Sequence, residues 1–186
     1  VEAELGAVGR HNALNAAAAL LAAREVGVAP REAAESLRET EWPPMRMEIR
    51  EIGGVTYVVD TYNASPDSTS AALRAMAELP IRGRRIAVLG EMRELGDFQE
   101  SGHRMVGRAL CESDPDLVYL TGGPTSFIAD EAFRAGFTEE RVTSSPELDL
   151  DDVRAFLKRT VRPGDVVLIK ASRALGLEQA LEEPVR

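Results

Sequence analysis

Polar residues in this sequence collect in four short blocks, and none of the blocks is by itself a catalytic set. His11, Asn12 and Asn15 fall within about one turn of a helix. Asp60-Thr61-Tyr62-Asn63-Ala64-Ser65-Pro66-Asp67-Ser68 follows one apolar run, Gly90-Glu91-Met92-Arg93-Glu94-Leu95-Gly96 a second, and Lys170-Ala171-Ser172-Arg173 a third. The last three read as ends of buried strands. Open parallel sheets bind ligands just outside the carboxyl ends of their strands, where the following helix N-terminus favours anions. Each residue also suits a structural role. Asp60 fits a turn cap, Asn63 a left-handed turn position, Ser65 a helix cap, and Lys170 and Arg173 solvated charges. His11, Asn12 and Asn15 fit the polar face of a surface helix equally well, and spacing alone does not choose.

Several known site chemistries are absent. The chain contains no G-x-x-x-x-G-K-[ST] phosphate loop, no G-x-G-x-x-G, no G-x-S-x-G elbow and no H-E-x-x-H. Gly122-Gly123-Pro124 is a glycine turn without the dinucleotide fingerprint. Cys111 falls inside a predicted helix beside Leu110 and reads as core, and His103 reads as a packed or solvated histidine with no evident partner.

The elements that must carry these blocks follow from periodicity. Leu14, Ala17, Ala18 and Leu21 recur at helical spacing over 12–26, and Gly27 closes the run. A second helix begins at Pro30 and stops before Trp42-Pro43-Pro44, which excludes helix and marks a domain boundary. Residues 47–52 and 55–60 around Gly53-Gly54 predict a hairpin. Beyond it, helices at 66–78, 100–112, 126–135 and 150–160 alternate with strands at 85–89, 117–120, 141–143 and 166–169. The strands IAVL and VVLI are continuous apolar runs, as in sheets covered by helices on both faces. The expectation is an α/β fold: a Rossmann-like, mostly parallel sheet over 45–186, preceded by a helical segment over 1–44.

Composition narrows the partners. The 186 residues are 44% hydrophobic and 28% charged, an ordinary globular balance. With a net charge of −9 and no basic face, nucleic acid is not an expected partner. One cysteine and no Cys/His cluster at zinc spacing predict a reducing cytoplasmic setting and no metal site in this chain. No apolar run reaches about 18 residues, so no membrane insertion is expected. The Ala-rich stretch 16–23 lacks the basic leader of a secretory signal. Val1 in place of an initiating Met fits a piece of a longer protein.

Taken together, the blocks are those of a known family. Gly9-Arg10-His11-Asn12-Ala13-Leu14-Asn15-Ala16-Ala17-Ala18-Ala19 resembles the G-x-H-N-x-x-N-x-x-A-A signature of the Mur ligases, ATP-dependent amino-acid and peptide ligases of peptidoglycan synthesis. Residues 58–68, 87–96 and 168–173 resemble the D-S-Y-N-A-N-P-D-S, L-G-x-M-x-E-L-G and V-K-G-S-R blocks of one branch. That branch joins D-alanyl-D-alanine to UDP-N-acetylmuramoyl-tripeptide. Thr61 stands for Ser, Ser65 for Asn and Ala171 for Gly; Ala171 should slightly restrict the loop before Ser172.

The resemblance implies that 1–44 are the last helices of a central P-loop ATPase domain and 45–186 the C-terminal domain. The ATP phosphate loop and the Mg²⁺ ligands would then lie outside this chain, along with an N-terminal domain, and the chain alone would be inactive. It further implies that Asn12 and Asn15 contact adenine, Asp60 the ribose hydroxyls, and Arg46 the γ-phosphate as the catalytic arginine. Asn63, Ser65, Lys170 and Ser172 would line a D-alanyl-D-alanine pocket. Two alternatives are a related amide ligase of the folylpolyglutamate synthase kind, against which the L-G-E-M-x-E-L-G block argues, and a non-catalytic module for a small anion.

Overall fold

Side-chain alternation divides the core in two. In the computed structural model, which describes residues 1–6 and 9–181, the strands are β1 (Glu48–Ile52), β2 (Val55–Asp60), β3 (Arg85–Gly90), β4 (Leu117–Thr121), β5 (Val142–Ser145) and β6 (Val166–Lys170). Val58, Ala87, Leu89, Val118, Leu120, Val166 and Leu168 enter one apolar cluster, while Val59, Ile86, Val88, Tyr119, Val167 and Ile169 enter the other. This is the period of two, carried through both faces of a buried sheet. The helices α3 (Pro66–Glu78), α4 (Gln99–Ser113) and α5 (Ser126–Arg134) cover the first face. The second is covered by α6 (Leu150–Thr160) and a 3-10 turn at Leu177–Leu181.

The strand order is β1-β2-β6-β3-β4-β5. Gly53 and Gly54, at φ of 60° and 77°, close the antiparallel β1–β2 hairpin, and both values are positive as a type I′ turn requires. All the other pairings are parallel. The last strand, β6, therefore inserts between β2 and β3, so the three strand ends singled out in the sequence are neighbours. This is the mostly parallel sheet with helices on both faces that the sequence predicts.

Before the sheet, α1 (Arg10–Glu25) and α2 (Pro30–Arg38) pack on each other, with Ala16, Ala33 and Ala34 buried. Helix α1 begins at Arg10 rather than the expected Asn12, because Gly9 at φ 100° turns the chain into the helix earlier without a side-chain cap. Leu14 and Leu21 stand 71% and 61% exposed, so the apolar spacing of α1 meets no core among the described residues.

Candidate functional site

The register of two parallel strands builds the centre of the site. Asp60 ends β2, Lys170 ends β6, and the two are direct partners in the ladder, so their side chains leave the same face of the sheet. The Lys170 ammonium lies 2.6 Å from Asp60 Oδ2 and also donates to the carbonyl oxygens of Asn63 (2.9 Å) and Asp60 (3.4 Å). It is 1% exposed. Burial pushes its pKa below the usual lysine range, against the opposing pull of Asp60 and with a smaller contribution from Arg46 in the same direction as burial. The other Asp60 oxygen accepts the Met47 amide at 3.3 Å.

Around this pair the chain forms a cleft of about 620 Å³ between α1, the segment after Trp42, and the loop after β2. Asn12, Asn15, Arg46, Asp60, Asn63, Ser65 and Lys170 all border it. Seven of the eight expected site residues are thus brought together.

Ser172 is the exception. It is buried beyond the cleft wall, where its hydroxyl accepts the Arg93 amide at 2.8 Å and so ties the end of β6 to the loop after β3. No residue of 90–96 borders the cleft. Ser65 is the N-cap of α3, in a reciprocal capping box with Ser68, and Pro66 takes the first helical position. The Asn63 side chain accepts the Ala64 amide at 2.8 Å.

Three further lining residues have no site role in the expectations above, although His11 stands in the first polar block. Trp42 was seen only as a helix breaker, and its indole N–H is buried without a partner among the described residues. Tyr62 lies under Arg46, whose guanidinium carbon is 3.9 Å from the ring centre. His11 borders the cleft beside Asn12. Aromatic residues flanking a polar block were the available signal.

His103, expected to lack a partner, has two. It is buried in α4, its Nε2 accepts the Met92 amide at 3.0 Å, and its Nδ1 lies 2.7 Å from the Gln99 carbonyl. An accepting Nε2 places the proton on Nδ1, so this is a neutral histidine that moors the loop after β3. Burial lowers its pKa, with Gln99 and Glu91 opposing. Cys111 is partly buried at the margin of the core. Among the described residues, no three His, Cys, Asp or Glu side chains are grouped to hold a metal ion. No helix is long and apolar enough to cross a membrane among them either.

Residues 45–173 match the model of the Mur ligase glutamate ligase domain. The chain belongs to the Mur ligase family. Among curated Mur ligases it is 36% identical over 177 residues to the UDP-N-acetylmuramoyl-tripeptide–D-alanyl-D-alanine ligase of Bacillus subtilis, covering 95% of this chain and 38% of that protein. The enzyme of the same name from Mycobacterium tuberculosis is 38% identical over 196 residues, with the same coverages. Among solved structures, the MurF ligase of Thermotoga maritima in complex with ADP superposes with a TM-score of 0.77 at 31% identity, again over 95% of this chain and 38% of that one. A MurF structure from Acinetobacter baumannii, at TM-score 0.81 and 23% identity, shares the fold. The chain thus spans somewhat over a third of the length of the Mur ligases it matches.

Proposed function

We propose that this chain is the C-terminal part of an ATP-dependent ligase that adds D-alanyl-D-alanine to UDP-N-acetylmuramoyl-tripeptide in cytoplasmic peptidoglycan synthesis. The observation that supports this most directly is the single cleft in which Asn12, Asn15, Arg46, Asp60, Asn63 and Ser65 meet at the carboxyl end of β2. Those groups suit a nucleotide with an amine substrate beside it. Carboxamides at Asn12 and Asn15 both donate to and accept from a purine edge. The Asp60 carboxylate, held by Lys170, has lone pairs left for ribose hydroxyls. Arg46 is a permanently charged fork for phosphoryl oxygens.

Asn63 and Ser65 would face the D-alanyl-D-alanine. Lys170 and Ser172 would shape that pocket through the Asn63 carbonyl and the Arg93 amide they hold. ATP would activate the tripeptide's terminal carboxylate as an acyl phosphate, which the incoming amine attacks with loss of phosphate. Phosphoryl transfer rests on positioning and charge neutralisation. Within this chain that work falls to Arg46. The described residues offer no grouping fit for Mg²⁺, so its ligands are assigned to the remainder of the ligase.

The test is ADP release by the complete ligase, which should require both UDP-N-acetylmuramoyl-tripeptide and D-alanyl-D-alanine. The 186-residue chain by itself should release none. ADP release by the complete ligase that ignores D-alanyl-D-alanine would overturn the reading.

A further inference from the structure

A lysine at the end of a strand beside a polar cleft invites a role as a donor to the substrate, but the Lys170 ammonium has nothing left to give. An ammonium has three N–H donors. Lys170 lies within hydrogen-bond reach of three acceptors of its own chain, Asp60 Oδ2, the Asp60 carbonyl and the Asn63 carbonyl, and is 1% exposed. A buried charge is tolerated only when paired and fully bonded, and here the partner is set by the β2–β6 register.

The pairing does not stop at Asp60. Its second oxygen accepts the amide of Met47, which sits at φ 52° directly after Arg46. Met45, directly before Arg46, is at φ 59°, and its carbonyl accepts the Tyr62 amide at 3.0 Å. Left-handed backbone at a non-glycine residue is strained and persists only where neighbouring bonds enforce it. Two such residues bracket the arginine, and one of the bonds that holds them comes from the carboxylate that Lys170 fixes.

We infer that Lys170 is a positioning residue: through Asp60 it holds the strained Met45–Met47 segment, and so Arg46, in place, and it does not touch the amine substrate. The inference rests on the ligase reading above. It predicts a pattern that a substrate contact does not give. In the complete ligase, Lys170→Met keeps an unbranched side chain only one atom shorter and removes the charge. With Asp60 no longer anchored, KM for ATP should rise about tenfold or more, the loss expected when a hydrogen bond to a charged group is broken. The kcat should fall by up to about 10²-fold, as for an ångström-scale misplacement of a catalytic group. KM for D-alanyl-D-alanine should rise less than KM for ATP, because Lys170 reaches that pocket only through the Asn63 carbonyl it holds.

If Lys170 acts through Asp60, then Lys170→Met combined with Asp60→Asn should be no worse than Asp60→Asn alone. A selective rise in KM for D-alanyl-D-alanine, or effects that simply add, would overturn the inference. A general loss of folded protein would lower the rate with every KM unchanged, and that result also counts against it.

Hydrogen exchange on the complete ligase supplies a readout that needs no turnover. Lys170→Met should speed exchange at 45–48 and 60–64 while β3 and β4 keep their protection. Unchanged exchange at 45–48 would sink the proposed link to Arg46. Were the wild-type ligase indifferent to D-alanyl-D-alanine, the functional reading would fail, and this exchange pattern would still decide the positioning claim.

Discussion

Arg46 stacks on Tyr62, with its guanidinium carbon 3.9 Å from the ring centre. The neighbouring carboxylate, Glu48, is occupied by Arg50 at 2.7 Å and by the Met45 amide at 2.8 Å. The arginine is therefore held by an aromatic face at the rim of the cleft, a contact worth about 0.5–1 kcal/mol at an exposed site and easily exchanged for a phosphate.

Replacing Arg46 with Ala in the complete ligase should lower kcat by on the order of 10³-fold, the lower range for an arginine that stabilises a transferring phosphoryl group. KM for ATP should change far less, since adenine and ribose contacts at Asn12, Asn15 and Asp60 remain. Steady-state kinetics over ATP concentration measure both. Near-normal turnover with a slightly lower melting temperature would reduce Arg46 to a surface charge.

Tyr62 should matter through its ring. Tyr62→Phe keeps the face under Arg46 and should leave kcat within about twofold. Tyr62→Ala removes it and should lower kcat several-fold, a loss in keeping with about 1 kcal/mol. Equal kinetics for the two variants would show that the stacking has no part in turnover.

His103 should make stability depend on pH near neutrality. Burial holds its folded pKa below the ordinary 6.5, so as pH falls through that value the unfolded chain takes up a proton that the folded chain resists. Stability then rises with pH across this window, in full above about 6.5 and decreasing below it. Melting temperatures from pH 7.5 to 5.5 should fall more steeply for the wild type than for His103→Gln, which is less stable throughout. Parallel slopes would contradict a neutral structural histidine.

Asp165 offers a contrast at the other end of β6. It is 2% exposed, ion-paired to Arg84 at 2.7 Å, and accepts the Arg84 and Arg162 amides at 2.9 Å each. Burial alone would raise its pKa, but these bonds together hold it below the usual 3.8. Its contribution is therefore present above that value and lost as pH falls through the lower folded pKa. Asp165→Ala should cost about 3 kcal/mol, the low end for breaking a buried pair because Arg84 is partly solvated. Denaturant unfolding gives the loss. Nucleotide KM should be unaffected, since the residue is remote from the cleft.

The sheet was legible because the inner residues of β2, β3, β4 and β6 are sorted by alternation into two cores, a pattern that survives in IAVL and VVLI as unbroken apolar runs. The expected cost of Ala171 was less well founded. Its Cβ fills the space left by Gly90, where an added Cβ would lie 2.7 Å from it, and Ala171 does not adopt a positive φ. The fate of Lys170 was not legible, since it depends on β6 entering between β2 and β3 in a register that one sequence does not reveal. Likewise the partners of His103 lie in loop backbone, which carries no side-chain signature. Arg46 was placed by resemblance, while the left-handed turns that bracket it fall on two methionines, residues no sequence rule would select.

The insertion of β6 between β2 and β3 bears on synthesis as well as on the folded state. A chain leaving the ribosome amino end first can pair β1 with β2 and β3 with β4 early, but the two halves share no ladder until 166–170 emerges. Until then Asp60 is a carboxylate without its cation, and the bond it accepts from Met47 in the Arg46 segment is not fixed by Lys170. Completion of the cleft is thus a late event controlled by a single strand, and a nascent chain stopped just short of Val166 would hold all six described α-helices and every cleft residue named above except Lys170, without the strand that joins the two halves of the sheet.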